Sequence, residues 1–357
     1  MRLFLLCLAC VSFVGLSQEK RQPPPLPDFP DYPAISKVTE NTHGEVYFSS
    51  VTPGDYKWLV LPEQTLATTT VKGQLFLPPG ASADNPVPAM VILHGSGGIL
   101  PSRELAYGQW MADHGIAGLV VNSYEARGVT EETPYGLRVA IVSDADETAD
   151  AYSALTFLNQ HPAINPEKIG LMGFSYGGMA TRAALDSRIQ QNMAPQVSPF
   201  ALHLDYYGPC HFDLQTAKTT GAPLFSLRGA EDKSNDLEAC ARLENRLRDA
   251  GSAVGSTIFP SAGHGWEMAT PRQFIATLNP APCKQVLLEN GDWQIDGTTI
   301  AVPAELSRQE QYHFRLGLLG QMQQSCMSEG YIMGQDKQTH SLSNLLLAQY
   351  TAAYLLN

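Results

Sequence analysis

From about residue 56 onward, short apolar runs alternate with segments of helical periodicity. The runs Ala89–Leu93 and Gly118–Asn122 flank the helical pattern of Ser102–His114, and Val142–Asn159 carries the next helical pattern. Strands without polar alternation are buried on both faces, and helices between them favour parallel pairing. The pattern therefore predicts an α/β protein with a doubly wound, mostly parallel sheet.

The alternation of apolar runs and helical segments indicates the domain organisation. It holds over residues 56–266, which we interpret as the core, and is poor over residues 267–342. Residues 267–357 are interpreted as a C-terminal extension, whose final apolar helix, Ser343–Leu356, is expected to pack on the main sheet. Residues 18–55 are interpreted as a proline-rich tether, because Arg21–Pro33 contains six prolines and extended chain is expected there.

Residues 1–17 have the pattern of a secretory signal peptide. Arg2 precedes an apolar run from Leu3 to Leu16, and the small residues Gly15 and Ser17 suit the −3 and −1 positions. Cleavage near Ser17 predicts a periplasmic or secreted protein with no membrane span. An uncleaved anchor is the alternative, although the run is short for a transmembrane helix.

Composition excludes several classes of function. The chain has 357 residues, 44% of them hydrophobic, and a formal charge of −12. So acidic a surface repels phosphate backbones, which argues against a nucleic-acid partner. The glycine-rich stretch His94–Gly98 lacks the spacing of a nucleotide-binding loop, so no nucleotide cofactor is expected.

Cysteines are expected to form disulfides rather than a metal site. Signal cleavage leaves four of them, Cys210, Cys240, Cys283 and Cys326. An even number in an exported chain suggests two disulfides, and four cysteines allow three pairings. No Cys/His spacing suits zinc. Buried free thiols are the alternative.

The segment Gly173–Gly178, GFSYGG, carries the clearest chemical signal. A G-x-S-x-G pattern between a strand and a helix is a nucleophile elbow, which presents its serine at the carboxyl end of the sheet. Ser175 is therefore the predicted nucleophile. A glycine-rich turn with a capping serine is the alternative.

A serine nucleophile needs a base and an acid behind it. His264, between glycines after the last predicted strand, is the predicted base, and Asp232, after the strand Pro223–Leu227, is the predicted acid. The order Ser, acid, His suits this topology. Glu231 and Asp205 are the rival acids.

The negative charge that develops during attack needs hydrogen-bond donors. The backbone N–H of Tyr176, directly after the nucleophile, is the first predicted donor. The second is expected from the loop His94–Gly98, with Ser96 preferred and Gly97 the alternative.

Taken in order, these segments resemble the dienelactone hydrolase family of the α/β-hydrolase superfamily. The resemblance covers about residues 65–270 and is carried by the following motifs: HGSGG at 94–98, NSYEARG at 122–128, GFSYGG at 173–178, DYYGPC at 205–210, GAED at 229–232 and AGHGW at 262–266. It implies the α/β-hydrolase fold and hydrolysis of carboxylic esters or lactones through Ser175, Asp232 and His264. Authentic dienelactone hydrolases use a cysteine where this chain has Ser175, so the substrate does not carry over.

The resemblance also bears on the remaining candidate residues. It implies a Cys210–Cys240 disulfide, which leaves Cys283 with Cys326. Arg127, near the catalytic edge in this topology, either binds a substrate carboxylate or forms a salt bridge that holds the loop before Glu131 and Glu132. Aromatic residues in the same loops, namely Trp266, Tyr176 and Tyr135, either line a substrate pocket or simply pack.

The function predicted from the sequence is that of an exported serine hydrolase for small esters or lactones, which works without metal or cofactor. A serine peptidase of the same fold is one alternative. A catalytically inactive binding protein is the other, and the intact Ser175, Asp232 and His264 argue against it.

Overall fold

The computed structural model describes residues 23–33, 37–61 and 66–357. The predicted signal peptide, residues 1–17, lies outside the described residues. No helix in the described part of the chain is long and apolar enough to cross a membrane.

An eight-stranded sheet forms the centre of the molecule, with strand order β1-β2-β4-β3-β5-β6-β8-β9. Its strands are β1 (Gly44–Thr52), β2 (Ala67–Phe76), β3 (Val87–Leu93), β4 (Ala117–Asn122), β5 (Ile164–Phe174), β6 (Leu202–Tyr206), β8 (Leu224–Gly229) and β9 (Val254–Phe259). The pairs β1–β2 and β2–β4 are antiparallel, and all other neighbours are parallel. The predicted doubly wound, mostly parallel sheet is confirmed.

Helices cover both faces of this sheet. The helices before the C-terminal region are α1 (Lys57–Val60), α2 (Ala106–Asp113), α3 (Tyr135–Ile141), α4 (Asp144–Asn159), α5 (Tyr176–Ala183), α6 (Ser187–Met193) and α7 (Leu237–Asp249). Along β3, Val91 and Leu93 pack in one apolar layer, whereas Met90 and Ile92 pack in the other. Burial on both faces explains why the central strands read as apolar at every position.

The proline-rich tether ends earlier than predicted. Residues 44–52, placed by the sequence in the tether 18–55, form β1 and pair with β2 along its whole length. Val46 and Phe48 point into the core while Glu45 and Ser49 face outward. This period of two is the signal of a half-buried edge strand, and the preceding prolines obscured it.

The C-terminal region combines small sheets with one long helix. Its elements are β10 (Gln273–Asn279), β11 (Gln285–Leu287), β12 (Trp293–Ile295), β13 (Thr298–Ile300), α8 (Arg308–Ser325), β14 (Ser328–Met333) and α9 (Lys337–Thr351). Strand β11 pairs with β7 (Phe212–Asp213), a short strand inserted between β6 and β8. The region is therefore hydrogen-bonded to a loop of the core.

The molecule has one disulfide in the core and one in the C-terminal region. Cys210 is bonded to Cys240, and Cys283 is bonded to Cys326 at the end of α8. After β14, α9 returns to the sheet, where its Leu347 is fully buried in the same layer as Met90 and Ile92. Residues 267–336 thus lie over the carboxyl edge of the sheet, and α9 packs on the sheet itself.

Candidate active site

The turn between β5 and α5 holds Ser175 in a rare backbone conformation. Its φ is 54° and its ψ is −107°, values that cost a non-glycine residue about 1–3 kcal/mol. Its N–H donates to the Tyr206 carbonyl at 2.8 Å. A Cβ on Gly177 would lie 2.6 Å from the His94 carbonyl oxygen, and one on Gly173 would collide with the Gly177 carbonyl. The glycines of the motif therefore permit the close approach that exposes the serine side chain.

Ser175, His264 and Asp232 form a continuous hydrogen-bonded chain. Ser175 Oγ lies 2.8 Å from His264 Nε2, and His264 Nδ1 lies 2.7 Å from Asp232 Oδ2. All three side chains lie at the carboxyl end of the sheet, on the loops after β5, β8 and β9. The arrangement has the geometry of an activated serine nucleophile.

Asp232 is buried but well supplied with hydrogen-bond donors. Ser234 donates to its Oδ1 through both N–H and Oγ, at 2.9 and 2.6 Å, and Asn235 Nδ2 donates to its Oδ2 at 2.9 Å. Burial by itself would raise its pKa, but His264 and these donors hold the pKa below its usual value. An ionised Asp232 accepts from His264 Nδ1–H, which leaves Nε2 free to accept the proton of Ser175.

The rival acids are engaged elsewhere. Asp205 Oδ2 accepts from Arg182 at 2.7 Å and from Arg228 at 2.9 Å. Glu231 pairs with Arg272 on the surface. The structure brings Asp232, and neither of these two, to His264.

Gly95, the second residue of the loop after β3, lies against Ser175. A Cβ on Gly95 would lie 3.5 Å from Ser175 Cβ, and the Gly98 N–H closes the turn on the Gly95 carbonyl at 2.9 Å. Ser96 lines the same cavity as Ser175, whereas Gly97 is exposed and its carbonyl accepts from Arg138. Ser96, and not Gly97, lines this cavity; the second oxyanion donor beside Tyr176 stays a prediction.

Two of the sequence-predicted substrate residues do not reach this site. Arg127 is fully buried, donates to both oxygens of Asp150 at 2.7 and 3.0 Å, and also donates to the Val51 and Ser123 carbonyls. The substrate role was wrong, because no guanidinium surface faces the cavity. The alternative, a structural salt bridge that holds this loop, does form, and Asp150 of α4 is the partner.

Trp266 is also placed elsewhere. It is fully buried, its Nε1 donates to Ser343 of α9 at 3.1 Å, and its ring packs on Tyr207 and Phe259. Its prediction as a pocket residue was wrong, because the loop after β9 turns the indole toward the core and leaves only His264 facing the nucleophile.

A cavity of about 740 Å³ opens from the triad. Ser175, His264 and Ser96 line it, together with Tyr176 and Tyr135, two of the three aromatic residues named as pocket candidates from the sequence. Its far walls come from the C-terminal region, including Tyr331 of β14 and the residues of one face of α8. The C-terminal region is therefore a roof over the site, which its irregular sequence pattern did not reveal.

The same region also holds His264 in position. His264 N–H donates to the Ile332 carbonyl at 2.8 Å, and the His264 carbonyl accepts from Gly334 N–H at 2.9 Å. A Cβ on Gly263 would lie 2.6 Å from the Ile332 carbonyl oxygen. Strand β14 thus fixes the backbone of the histidine loop from the outside.

Tyr207 and its buried partners were missed by the sequence analysis. The Tyr207 ring meets the His264 ring edge-on, with centroids 4.6 Å apart, and the Tyr207 hydroxyl donates to Glu267. Arg103 lies 3.8 Å from Glu267 Oε1 and pairs with Glu104 at 2.6 Å. The pKa of Glu267 is raised by burial. The only signal was the position of DYYGPC directly after a strand.

The potential metal ligands near the roof are not free to bind an ion. Cys283, Asp296 and Cys326 lie together, but both sulfurs belong to one disulfide, which leaves a single carboxylate. Such a group does not meet the three or four ligands of a protein zinc site.

A serine elbow with its His–Asp pair, on a mostly parallel sheet covered by helices, defines an α/β-hydrolase. The sequence model of the dienelactone hydrolase family matches residues 71–285, and the chain belongs to that family. No curated protein sequence gives a significant match. The family membership and hydrolase fold predicted from the sequence are thereby confirmed.

Similar solved structures are distant in sequence. A Klebsiella pneumoniae subsp. pneumoniae protein assigned to the dienelactone hydrolases is 18% identical, with a TM-score of 0.43, over 62% of this chain and 88% of that chain. Esterase 2 of Thermogutta terrifontis is 14% identical, with a TM-score of 0.44, over 55% and 80% of the two chains. The acylaminoacyl peptidase of Pyrococcus horikoshii is 20% identical, with a TM-score of 0.44, over 62% and 37%.

Proposed function

We propose that this protein is a serine hydrolase that cleaves carboxylic esters or lactones through an acyl-enzyme intermediate. The observation that carries the proposal is the unbroken chain Ser175 Oγ–His264–Asp232, with both hydrogen bonds shorter than 3 Å. Membership of the dienelactone hydrolase family supports the same class of chemistry.

Acylation begins at Ser175. His264 Nε2 accepts the hydroxyl proton as Ser175 Oγ attacks the ester carbonyl carbon, and Asp232 stabilises the imidazolium that forms. The backbone N–H groups of Tyr176 and Ser96 receive the oxyanion. When the tetrahedral intermediate collapses, His264 returns its proton to the departing alkoxide oxygen, and the alcohol leaves.

Deacylation repeats these steps with water. His264 Nε2 accepts a proton from a water molecule whose oxygen attacks the acyl carbon. Collapse of the second tetrahedral intermediate breaks the bond to Ser175 Oγ, which recovers its proton from His264. The carboxylic acid is released, and no cofactor takes part in these steps.

Hydrolysis of p-nitrophenyl esters tests this proposal directly. We expect purified protein to hydrolyse at least one member of a series from acetate to decanoate, and Ser175→Ala to lose this activity. Ser341→Ala, an exposed serine on α9, is the matched control and should retain it. Equal hydrolysis by the Ser175→Ala variant would contradict the nucleophile assignment.

The alternative functions give different results in the same assay. A serine peptidase would turn over peptide p-nitroanilides, whereas an esterase would hydrolyse the activated p-nitrophenyl esters and unactivated alkyl esters but not the anilides. A catalytically inactive binding protein would hydrolyse neither substrate. The open, hydrogen-bonded Ser175 favours the enzyme over the binding protein.

We also propose that the protein is exported. The two disulfides support an oxidising compartment, as does the signal-like sequence of residues 1–17. Thiol titration of the native, exported protein after denaturation without reductant should find none of the four cysteines Cys210, Cys240, Cys283 and Cys326 free. Titration of all four would contradict it.

A further inference from the structure

Resting on the proposed function, we propose that the preferred substrate is an ester with a bulky, neutral, apolar group, and that this group occupies the cavity beneath α8. The sequence suggested small esters. The cavity of about 740 Å³ that adjoins Ser175 instead falls in the size range that holds a drug-sized ligand. We call it the roof chamber.

One face of α8 is directed into the roof chamber. Leu316, Leu319 and Gln323 line it at the three- and four-residue spacing of a single helix face, with Met322 beside them. Leu316 and Leu319 are only partly buried by the rest of the protein. Leu316 and Leu319 pack in part against the buried cluster around Ile141 and Tyr312. The remaining surface of this apolar face borders the chamber next to Ser175.

The facing wall is equally apolar. Met179 of α5, Phe212 of β7 and Trp293 of β12 line it, and all three are otherwise buried. Tyr135 and Leu278, also among the lining residues, are 49% and 51% exposed. Apolar walls that border solvent forgo dispersion contacts and hydrophobic burial with other apolar groups. An apolar substrate group would recover both.

The charges along the chamber favour a neutral group over an acidic one. Arg315 is the one arginine, and there is no lysine, among the described lining residues. Each of its three guanidinium nitrogens donates to a backbone carbonyl, those of Ala140, Gly54 and Ile141, at 2.7–2.9 Å. The carboxylates of Asp55 and Asp144 line the same end. A substrate carboxylate would meet two acidic side chains and a guanidinium already engaged.

Paired substrates test the proposal on both sides of the ester bond. We would measure kcat/KM for p-nitrophenyl octanoate against acetate, and for octyl acetate against ethyl acetate. In at least one pair the larger ester should be preferred by about tenfold or more, since each buried methylene contributes favourably. The p-nitrophenyl ester of octanedioic acid, with a free terminal carboxylate, should be about tenfold poorer than the octanoate.

Chamber variants then locate the effect. Leu319→Trp, which fills the chamber, should reduce the preference for the larger ester by about tenfold. Leu319→Gln, which keeps the size but adds polarity, should reduce it in the same direction. Leu342→Trp, on an α9 position that is 44% exposed, is the matched control and should leave the ratio unchanged.

Failure of this inference is distinguishable from failure of the proposed function. Absence of a size preference in both substrate pairs, with hydrolysis abolished by Ser175→Ala, would retain the esterase and overturn the chamber assignment. A size preference that Leu319→Trp and Leu319→Gln leave intact, or a preference for the carboxylate-bearing ester, would overturn it too. Absence of all Ser175-dependent hydrolysis would remove the function on which it rests.

Discussion

At the scale of single residues, the site depends on groups held in costly positions. Ser175 keeps a positive φ, and Asp232 remains ionised although it is buried. Both are stabilised locally, Ser175 by the Tyr206 carbonyl and the glycines around it, and Asp232 by Ser234, Asn235 and His264. Conservative substitutions there should therefore impair chemistry more than folding.

Asp232→Asn tests the role of the acid. The amide presents His264 with the wrong hydrogen-bonding group, so the imidazole loses the tautomer that accepts the Ser175 proton. We expect kcat to fall by about 10³–10⁴-fold, as for other triads. The measurement is ester hydrolysis, with circular dichroism to monitor folding. Asp249→Asn, an exposed position at the end of α7, should have no effect. Comparable activity in Asp232→Asn would refute the triad.

Asp144, in the wall of the roof chamber, should make stability depend on pH. Burial raises its pKa from 3.8 to about 7, with further contributions from Asp55 and Asp146. When folding raises the pKa of a carboxyl, the unfolded state ionises at lower pH than the folded state. The free energy of unfolding therefore falls as pH rises from the unfolded pKa to the folded pKa. The cost is then fully present above pH 7.

Asp144→Asn should accordingly gain stability relative to wild type between pH 5 and pH 8. Partial solvation of Asp144 in the chamber reduces the effect of its raised pKa on stability. We expect the variant's free energy of unfolding to gain about 2 kcal/mol relative to wild type. Denaturant unfolding at the two pH values measures the difference. A constant difference between variant and wild type would mean that Asp144 titrates normally.

At the scale of elements, the C-terminal region acts through a few fixed points. Strand β14 holds the backbone of His264, β11 pairs with β7, and Cys326 ties the end of α8 to Cys283. These points connect a part of the chain that is distant in sequence to the carboxyl edge of the sheet. The disulfide at the end of α8 is the one that should influence the roof chamber.

Removal of this disulfide tests that connection. The double variant Cys283→Ala/Cys326→Ala should lose about 2–5 kcal/mol of stability, as is usual for native disulfides. It should also lose preference for larger esters, because α8 is no longer fixed over the chamber. Unfolding curves and the octanoate-to-acetate ratio measure the two effects. Cys210→Ala/Cys240→Ala should lose stability alone, and an equal change of ester preference in both variants would contradict the role of α8.

The sequence predicted the core far better than the roof. Continuous apolar runs predict buried strands such as β3 and β4. Ser175, Asp232 and His264 each follow the end of a strand, in the order expected for this fold. Such signals are local. The position of α8 over the triad is not, because it depends on long-range pairing, and its partly apolar face looks like that of any half-buried helix.

Residue roles set by long-range packing were also unpredictable. Arg127 and Trp266 stand close to catalytic motifs in the sequence, yet Arg127 is bound by Asp150 and Trp266 by Ser343 of α9. Proximity along the chain gave no information on side-chain direction. Conversely, Tyr207 packs against His264 from the segment DYYGPC, whose sequence gave no indication of this contact.

At the scale of the whole molecule, the fold combines a common hydrolase core with a roof that encloses the site. The family model covers residues 71–285, and most of the roof lies beyond that range. The triad belongs to the shared core, while the chamber that would select substrates is built largely by the remainder of the chain. On this proposal, catalytic class and substrate choice are carried by different parts of the sequence.

The central claim is that Ser175 is an activated nucleophile, and an active-site-directed fluorophosphonate tests it most directly. We predict one adduct per protein, mapped by peptide mass spectrometry to the side chain of Ser175. His264→Ala should abolish its formation. An adduct on another residue, or none on a folded protein, would contradict the account.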